Sequence, residues 1–135
     1  MKDRDLQLLD IRPEIRSAKI SSQTGAGELF QNQTLRPVIK LQNDLLVEAF
    51  RNYIQKHKNV FMDLDVEKRL KYIENAIQKD IKFRNSLKGM IIGQFTVEEY
   101  RFYITDSSAL NKRMMNLVKE RIQSNLQLFG PLSAA

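Results

Sequence analysis

The widest apolar surface in the chain belongs to residues 34–57, TLRPVIKLQNDLLVEAFRNYIQKH. At about 100° per residue, its apolar side chains cover an arc of roughly 220°, which is far wider than the stripe of a surface helix. The pattern predicts one helix over 34–58, with Thr34 as its N-cap and Asn59 closing it in the left-handed conformation. Such a helix is expected to run through the middle of a bundle. The apolar arc comprises Leu35, Val38, Ile39, Leu41, Leu45, Leu46, Ala49, Phe50, Tyr53 and Ile54.

Three further helices are predicted downstream. A helix over 64–88, capped by Asp63 or Asp65, is indicated by apolar residues at steps of four, three, four and four from Val66 to Ile81. Thr96 and Glu99 have the spacing of a capping box, which predicts a helix over 97–105, and a last helix is expected over 108–128. The apolar run at 90–92 lies between two glycines and allows a short strand. The fold class is therefore all-α, a bundle of about four main helices.

The N-terminal quarter is predicted to be an arm rather than part of the bundle. Residues 1–16 have a cluster of leucines that favours a short helix, and Pro13 should end it by Arg12. Residues 17–33 are small and polar, which is typical of a flexible linker. The expected organisation is an arm over 1–33, a helical domain over 34–130 and a tail over 131–135.

Composition narrows the function classes. The 135 residues include no cysteine and one histidine, which excludes disulfides, zinc–thiolate sites and thiol nucleophiles. No apolar run approaches the roughly 20 residues needed to span a bilayer, so the protein is expected to be cytoplasmic with no membrane partner. The net charge is +6, but the excess is spread over three predicted helices instead of forming a basic arm. This distribution is a weak indication of nucleic-acid binding.

No motif fixes a chemistry. The glycines lack the spacing of a phosphate-binding loop, the serines at 107 and 108 are typical helix caps, and no carboxylates are spaced as a metal site. His57 lies between two lysines at a predicted helix end, where a cation complements the helix dipole. We therefore predict no catalytic residue, no metal site and no cofactor.

Three groups of residues are candidates for function, each with a structural alternative. The first set is polar and either lines a pocket or hydrogen-bonds neighbouring helices: Gln42, Asn43, Asn52 and His57. The second set consists of lysines that either contact phosphates or face water: Lys68, Lys71, Lys79, Lys82, Lys112 and Lys119. The third set is apolar and either forms an interface or joins the core: Phe61, Met62, Met90, Ile91, Ile92 and Met115.

The runs LQNDLLVEAFRNYIQKHKNVF, YIENAIQKDIKFRNSLKGMIIGQFTVEEY and SSALNKRMMN resemble a family of small bacterial helical proteins without a characterised function. The similarity covers about residues 29–129. Members are sometimes labelled glyoxalase, which implies metal ligands from histidine and glutamate. With one histidine in the chain, that label has no supporting catalytic residues here.

The sequence therefore favours a non-enzymatic helical module that interacts with a protein partner or with itself as a homo-oligomer. The alternative is a nucleic-acid-binding helical protein that uses the surface lysines. An enzyme is the third hypothesis, and it requires a closed pocket that gathers Gln42, Asn43 and His57 with Asp80 and Arg84.

Overall fold

The computed structural model describes residues 3–15 and 25–130, and within these ranges the fold is all-α, as predicted, with no strand. A π-helical turn (Gln31–Leu35) joins α2 to α3, and 3₁₀ turns lie at Val60–Asp63 and Leu126–Phe129. The helices are α1 (Asp3–Ile11), α2 (Ala26–Phe30), α3 (Arg36–Leu41), α4 (Asn43–Lys56), α5 (Val66–Lys79), α6 (Ile81–Ile92), α7 (Val97–Tyr103) and α8 (Ser107–Ser124).

The predicted helix over 34–58 differs from the structure at its start and in its middle. The chain is already helical from Ala26, so residues 26–33 are not a linker, while residues 16–24 lie outside the described ranges. The π turn lies just before Pro37, in the first turn of α3. A proline ring removes one backbone N–H and displaces a carbonyl of the previous turn, and the wider π geometry accommodates both effects. Gln42 then leaves helical geometry at φ −87° and ψ 6°, which separates α3 from α4. Asn59 is left-handed at φ 58°, as predicted.

The predicted helix over 64–88 is two helices that meet at Asp80. This residue has φ −84° and ψ 100°, and its carboxylate accepts hydrogen bonds from the Phe83 N–H in the first turn of α6 and from the Tyr53 hydroxyl. The helical repeat of apolar residues from Val66 stops at this break, and Ile81, its last predicted member, is 71% exposed. Helix α6 continues through the run at 90–92, where a short strand had been possible.

The remaining predicted helix boundaries hold closely. The capping box of Thr96 and Glu99 is present in both directions at the start of α7, and the Asp65 side chain caps α5 by accepting from the Lys68 N–H. Helix α8 ends at Ser124, four residues before the predicted end. Gly130 follows the last 3₁₀ turn with φ 104°, a conformation that a side chain disfavours.

Helix α8 occupies the centre of the bundle, the position that the sequence assigned to residues 34–57. It contacts α3, α4, α5 and α6, and six of its side chains are buried. The wide apolar arc of 34–57 is divided at Gln42, and Leu45 within it is exposed. Beside α8, Phe50 is fully buried and packs against the rings of Tyr53, Phe61, Tyr72, Phe83 and Phe129.

Candidate functional site

The structure separates the polar set predicted for a pocket into two parts. The Gln42 side chain donates to the Met90 carbonyl at 2.8 Å, and Asn43 accepts from the Asn125 side chain at 2.8 Å, so both amides join neighbouring helices. Asn52 and His57 are exposed on α4 and at its end, and both line one open cleft with Asp80. The enzyme hypothesis requires a closed pocket that gathers these side chains, and the described ranges contain no such pocket.

His57 borders a cleft at the break between α5 and α6, together with Tyr53 and Asp80. The cleft has a volume of about 440 Å³, and the His57 and Tyr53 rings lie 4.1 Å apart. Burial and the hydrogen bond to Asp80 raise the pKa of Tyr53 to about 12, while the Phe83 N–H and the Tyr53 hydroxyl lower the pKa of Asp80. At neutral pH the pair is a phenol that donates to a carboxylate. Its geometry joins α4 to the start of α6.

The candidate phosphate contacts form no single row. Lys68, Lys71 and Lys79 share one face of α5, whereas Lys82 lies beyond the break on α6. Lys112 and Lys119 are on α8, where Lys119 is half-buried and the others are exposed. None of these lysines forms an ion pair with another described residue.

The candidate interface residues do not form an exposed patch. Phe61, Ile91 and Met115 are buried within the chain, and Met62, Met90 and Ile92 are partly buried against the same core. These residues therefore form no exposed apolar surface, because their side chains pack into the core.

The arm docks on the bundle through its polar side. Asp5 is 6% exposed, and its carboxylate accepts from the Val97 N–H at the start of α7. Arg4 donates to the carbonyls of Gly93 and Phe95, each at 3.0 Å. By contrast, Leu6 is 53% exposed, and no residue of 3–15 belongs to the hydrophobic core. Helix α1 therefore docks mainly through polar contacts, and three of its four large apolar side chains are exposed, while Leu8 is half-buried.

Arg12 and Glu99 form the central contact between the arm and α7. Both terminal nitrogens of Arg12 donate to the Glu99 carboxylate, at 2.7 and 2.6 Å, and one of them also reaches the Gln94 carbonyl at 2.7 Å. The carboxylate accepts in addition from the Thr34 hydroxyl at 2.7 Å and from the Thr96 N–H at 2.8 Å. Thr34 is therefore not an N-cap, because the helix already runs through it and its hydroxyl faces α7. Sequence reasoning identified the capping box but not Arg12.

Burial alone would raise the pKa of Glu99, but hydrogen bonds from Arg12, Thr96 and Thr34 and the charge of Arg12 outweigh burial and lower it. A lowered folded pKa means a stabilising contribution that is present above the unfolded pKa of about 4.3 and is lost as pH falls through the folded pKa. We therefore expect Glu99→Gln to be less stable than the wild type at neutral pH, by a difference that shrinks below about pH 4. Urea denaturation of both proteins from neutral to acidic pH measures this difference. A difference that grows towards acidic pH would contradict the assignment, and Glu98→Gln, at an exposed position, is the matched control.

A groove of about 440 Å³ lies beside this contact, between α1, α2 and α7. Its polar lining comes from Arg12, Gln33, Thr34, Thr96, Glu98 and Glu99. Its apolar lining comes from Leu9, Ala26, Leu29, Phe30 and Phe102. Phe102 packs on Phe30 with ring centroids 5.2 Å apart, yet it remains partly accessible.

More than half of the exposed apolar side chains lie on α1 or within residues 97–104, the two segments that flank this groove. Twelve large hydrophobic residues are exposed in the described ranges; three are on α1 and four lie within residues 97–104. Leu9 and Phe102 line the same groove, so the two groups adjoin. We call the resulting surface the α1–α7 surface and define it by Leu6, Leu9, Val97, Phe102 and Ile104. The sequence signal for it was the run YRFYIT, whose apolar residues exceed what one buried helix face can hold.

Comparisons with known proteins found no matching family model, no matching curated protein and no matching solved structure. Within the described ranges, no three side chains of histidine, cysteine, aspartate or glutamate converge as metal ligands. No described helix combines the length and hydrophobicity required to cross a bilayer.

Proposed function

We propose that this chain is a helical interaction module and that the α1–α7 surface binds its protein partner. The polar docking of the arm carries the proposal: Asp5 and the side chain of Arg12 are buried against the bundle, while Leu6, Leu9 and Ile11 are exposed. An arm that served only to cover the core would bury its leucines. Exposed apolar groups that adjoin a groove are typical of protein–protein contact sites.

The geometry of the groove supports the same function. Its apolar lining offers a place for a side chain of the partner, and the Arg12–Glu99 contact holds the two walls, α1 and α7, at a fixed separation. A pre-organised site of this kind loses little conformational entropy when the partner binds. No chemical step is assigned to the site, because Arg12 and Glu99 are engaged in the hydrogen bonds that join the arm to α7.

Site-specific photo-crosslinking in the cells that produce the protein tests this proposal. A photoreactive phenylalanine analogue in place of Phe102 is expected to form a discrete adduct, either with another protein or with a second copy. The same analogue in place of Lys71, on the exposed face of α5, is the control and should form no such adduct. Equal crosslinking at both positions, or none at Phe102, would contradict the proposal.

A nucleic-acid partner is the second candidate, supported by the shared exposed face of Lys68, Lys71 and Lys79. Phosphate binding by these lysines predicts an affinity for generic RNA or DNA that falls steeply as salt rises. Replacing all three lysines by glutamine should abolish that affinity. An absence of binding even at low salt would dispose of this candidate.

A further inference from the structure

The three helices that border the groove, α1, α2 and α7, are acidic, although the protein as a whole is basic. Together with Arg12 they carry six carboxylates and three guanidinium groups, whereas the net charge of the chain is +6. Asp5 and Glu99 are paired with Arg4 and Arg12. The other four carboxylates are exposed and form no ion pair with a described residue: Asp3, Asp10, Glu28 and Glu98.

Two of these free carboxylates stand beside the apolar side chains of the groove walls. Glu98 lines the groove and lies one helical turn before Phe102, which also lines it. On the other wall, Asp10 follows the lining residue Leu9 and lies one turn after the exposed Leu6. Each wall therefore combines an accessible apolar group with an accessible negative charge.

The cations of these helices do not cancel that charge inside the groove. At about 100° per residue, Arg101 lies about 60° from Glu98 and about 100° from Phe102, on the side of α7 away from the groove, and it is not a lining residue. Arg12 does line the groove, but its side chain is 6% exposed and both of its terminal nitrogens donate to Glu99. A ligand therefore meets a free carboxylate and, among the described lining residues, no unpaired cation.

This charge selects the chemistry of the partner. Free carboxylates repel phosphate groups, so they disfavour nucleic acid and anionic lipid here and favour a protein segment that carries cations. No strand occurs in residues 3–15 or 25–130, so an extended segment finds no sheet edge to pair with. An amphipathic helix suits a groove with helical walls, because its apolar side chains enter the groove while its lysines or arginines reach the rim.

We propose that the groove between α1, α2 and α7 binds a basic amphipathic helix of a partner protein. The apolar side chains of that helix pack against Leu9, Leu29 and Phe102. Its lysines or arginines lie against Asp10 and Glu98. This inference rests on the proposed interaction function and specifies the chemistry of the partner. The lysine-bearing helix α5 of this chain is not such a ligand, because its apolar face is buried in the core.

Two synthetic helical peptides of roughly 14 residues, or about four turns, test the charge requirement by NMR titration of the isotope-labelled protein. Both have leucine at every third or fourth position, and the remaining positions are lysine and glutamine in one peptide and glutamate and glutamine in the other. At about 0.15 M salt, where screening acts within about 8 Å, the lysine peptide should bind with a Kd below about 1 mM and shift amide signals of α1, α2 and α7. The glutamate peptide should bind at least about tenfold more weakly. The net charge of +6 favours the opposite order, so only the local charge of the groove can produce this result.

The double variant Asp10→Asn, Glu98→Gln removes the two rim charges and should weaken binding of the lysine peptide about three- to tenfold. Glu67→Gln combined with Glu120→Gln is the matched control, because it changes the net charge by the same amount at exposed positions of α5 and α8 and should leave binding unchanged. All four positions are exposed, so circular dichroism should show that both double variants are folded.

Equal binding of the two peptides, stronger binding of the glutamate peptide, or amide shifts confined to other helices would overturn the inference. An equal loss of binding in the two double variants would also overturn it, since the effect would then come from net charge. If neither peptide binds while the photoreactive analogue at Phe102 still forms its discrete adduct, the interaction function stands and the basic helix is excluded. An adduct with a second copy alone would exclude it in the same way.

Discussion

Replacing Arg12 by alanine is expected to detach α1 from the bundle and to lower the free energy of unfolding by about 3 kcal/mol. The Arg12 side chain is 6% exposed, and that of Glu99 is 18% exposed, so removing one partner leaves a largely buried charge without its counterion. The loss of unfolding free energy has an upper bound, because water reaches Glu99 once the arm detaches. This loss therefore cannot exceed the free energy that holds the arm on the bundle.

Hydrogen exchange distinguishes this local release from general destabilisation. In Arg12→Ala, the amides of α1 should lose protection, while those of α8 at the centre of the bundle keep theirs. Arg4→Ala is the matched control, since Arg4 also donates to the bundle but its side chain is 52% exposed, and we expect a smaller effect. Retained α1 protection in Arg12→Ala would show that the arm docks by other contacts.

The second large effect is expected at Arg69, a fully buried arginine on the inner face of α5. It is 1% exposed and donates to the carbonyls of Leu64, Met62 and Gly130, and its guanidinium lies 4.8 Å from the centroid of the Phe61 ring. These contacts join the turn before α5 to the end of the described chain. Arg69→Met keeps much of the length and apolar volume but removes all of these donors.

We expect Arg69→Met to lower the free energy of unfolding by about 3 kcal/mol, because buried carbonyls that lose a charged donor each cost about 1–3 kcal/mol. Guanidinium chloride denaturation followed by circular dichroism measures it. Arg69→Lys keeps the charge and should recover part of the loss, although an ammonium cannot reproduce the planar arrangement of donors. Lys71→Met, on the exposed side of the same helix, should change stability little. A similar loss in Lys71→Met would indicate a helix-propensity effect instead.

Local patterns predicted the helices that local contacts define. The capping box of Thr96 and Glu99 involves residues three apart, and the left-handed Asn59 ends α4 within one turn. Both were predicted correctly because the residues that determine them are adjacent in sequence. The all-α class followed from the same helical periods.

The breaks within the long predicted helices depend on contacts between distant residues. The Asp80 carboxylate accepts a hydrogen bond from the hydroxyl of Tyr53, 27 positions earlier, and the Gln42 side chain donates one to the Met90 carbonyl, 48 positions later. A periodicity argument has no access to such pairs, so it continued each helix through its break. The helical start at Ala26 was missed for a similar reason, because Phe30 is buried against Phe95 and Phe102 of a distant segment.

The candidate site shows the same limit. Arg12 and Glu99 are 87 positions apart, and nothing near Arg12 in sequence indicates that it is buried. The leucines of α1 suggested an inner face, whereas Asp5 and Arg12 occupy it, since they satisfy backbone and carboxylate groups around the start of α7. The candidate interface residues are buried or partly buried, and exposed apolar side chains lie instead on α1 and within residues 97–104. That these side chains bind a partner stays a proposal.

The central claim is that the arm docks through Asp5 and Arg12 and leaves Leu6, Leu9 and Ile11 accessible. The chain has no cysteine, so single-cysteine variants can report accessibility directly. In dilute, monomeric protein, Leu6→Cys and Leu9→Cys should react with a thiol reagent at nearly the rate of the unfolded chain, whereas Val118→Cys, which is fully buried on α8, should be strongly protected. Protection of the Leu6 and Leu9 positions equal to that of Val118 would mean that α1 packs through its leucines, and it would contradict the account.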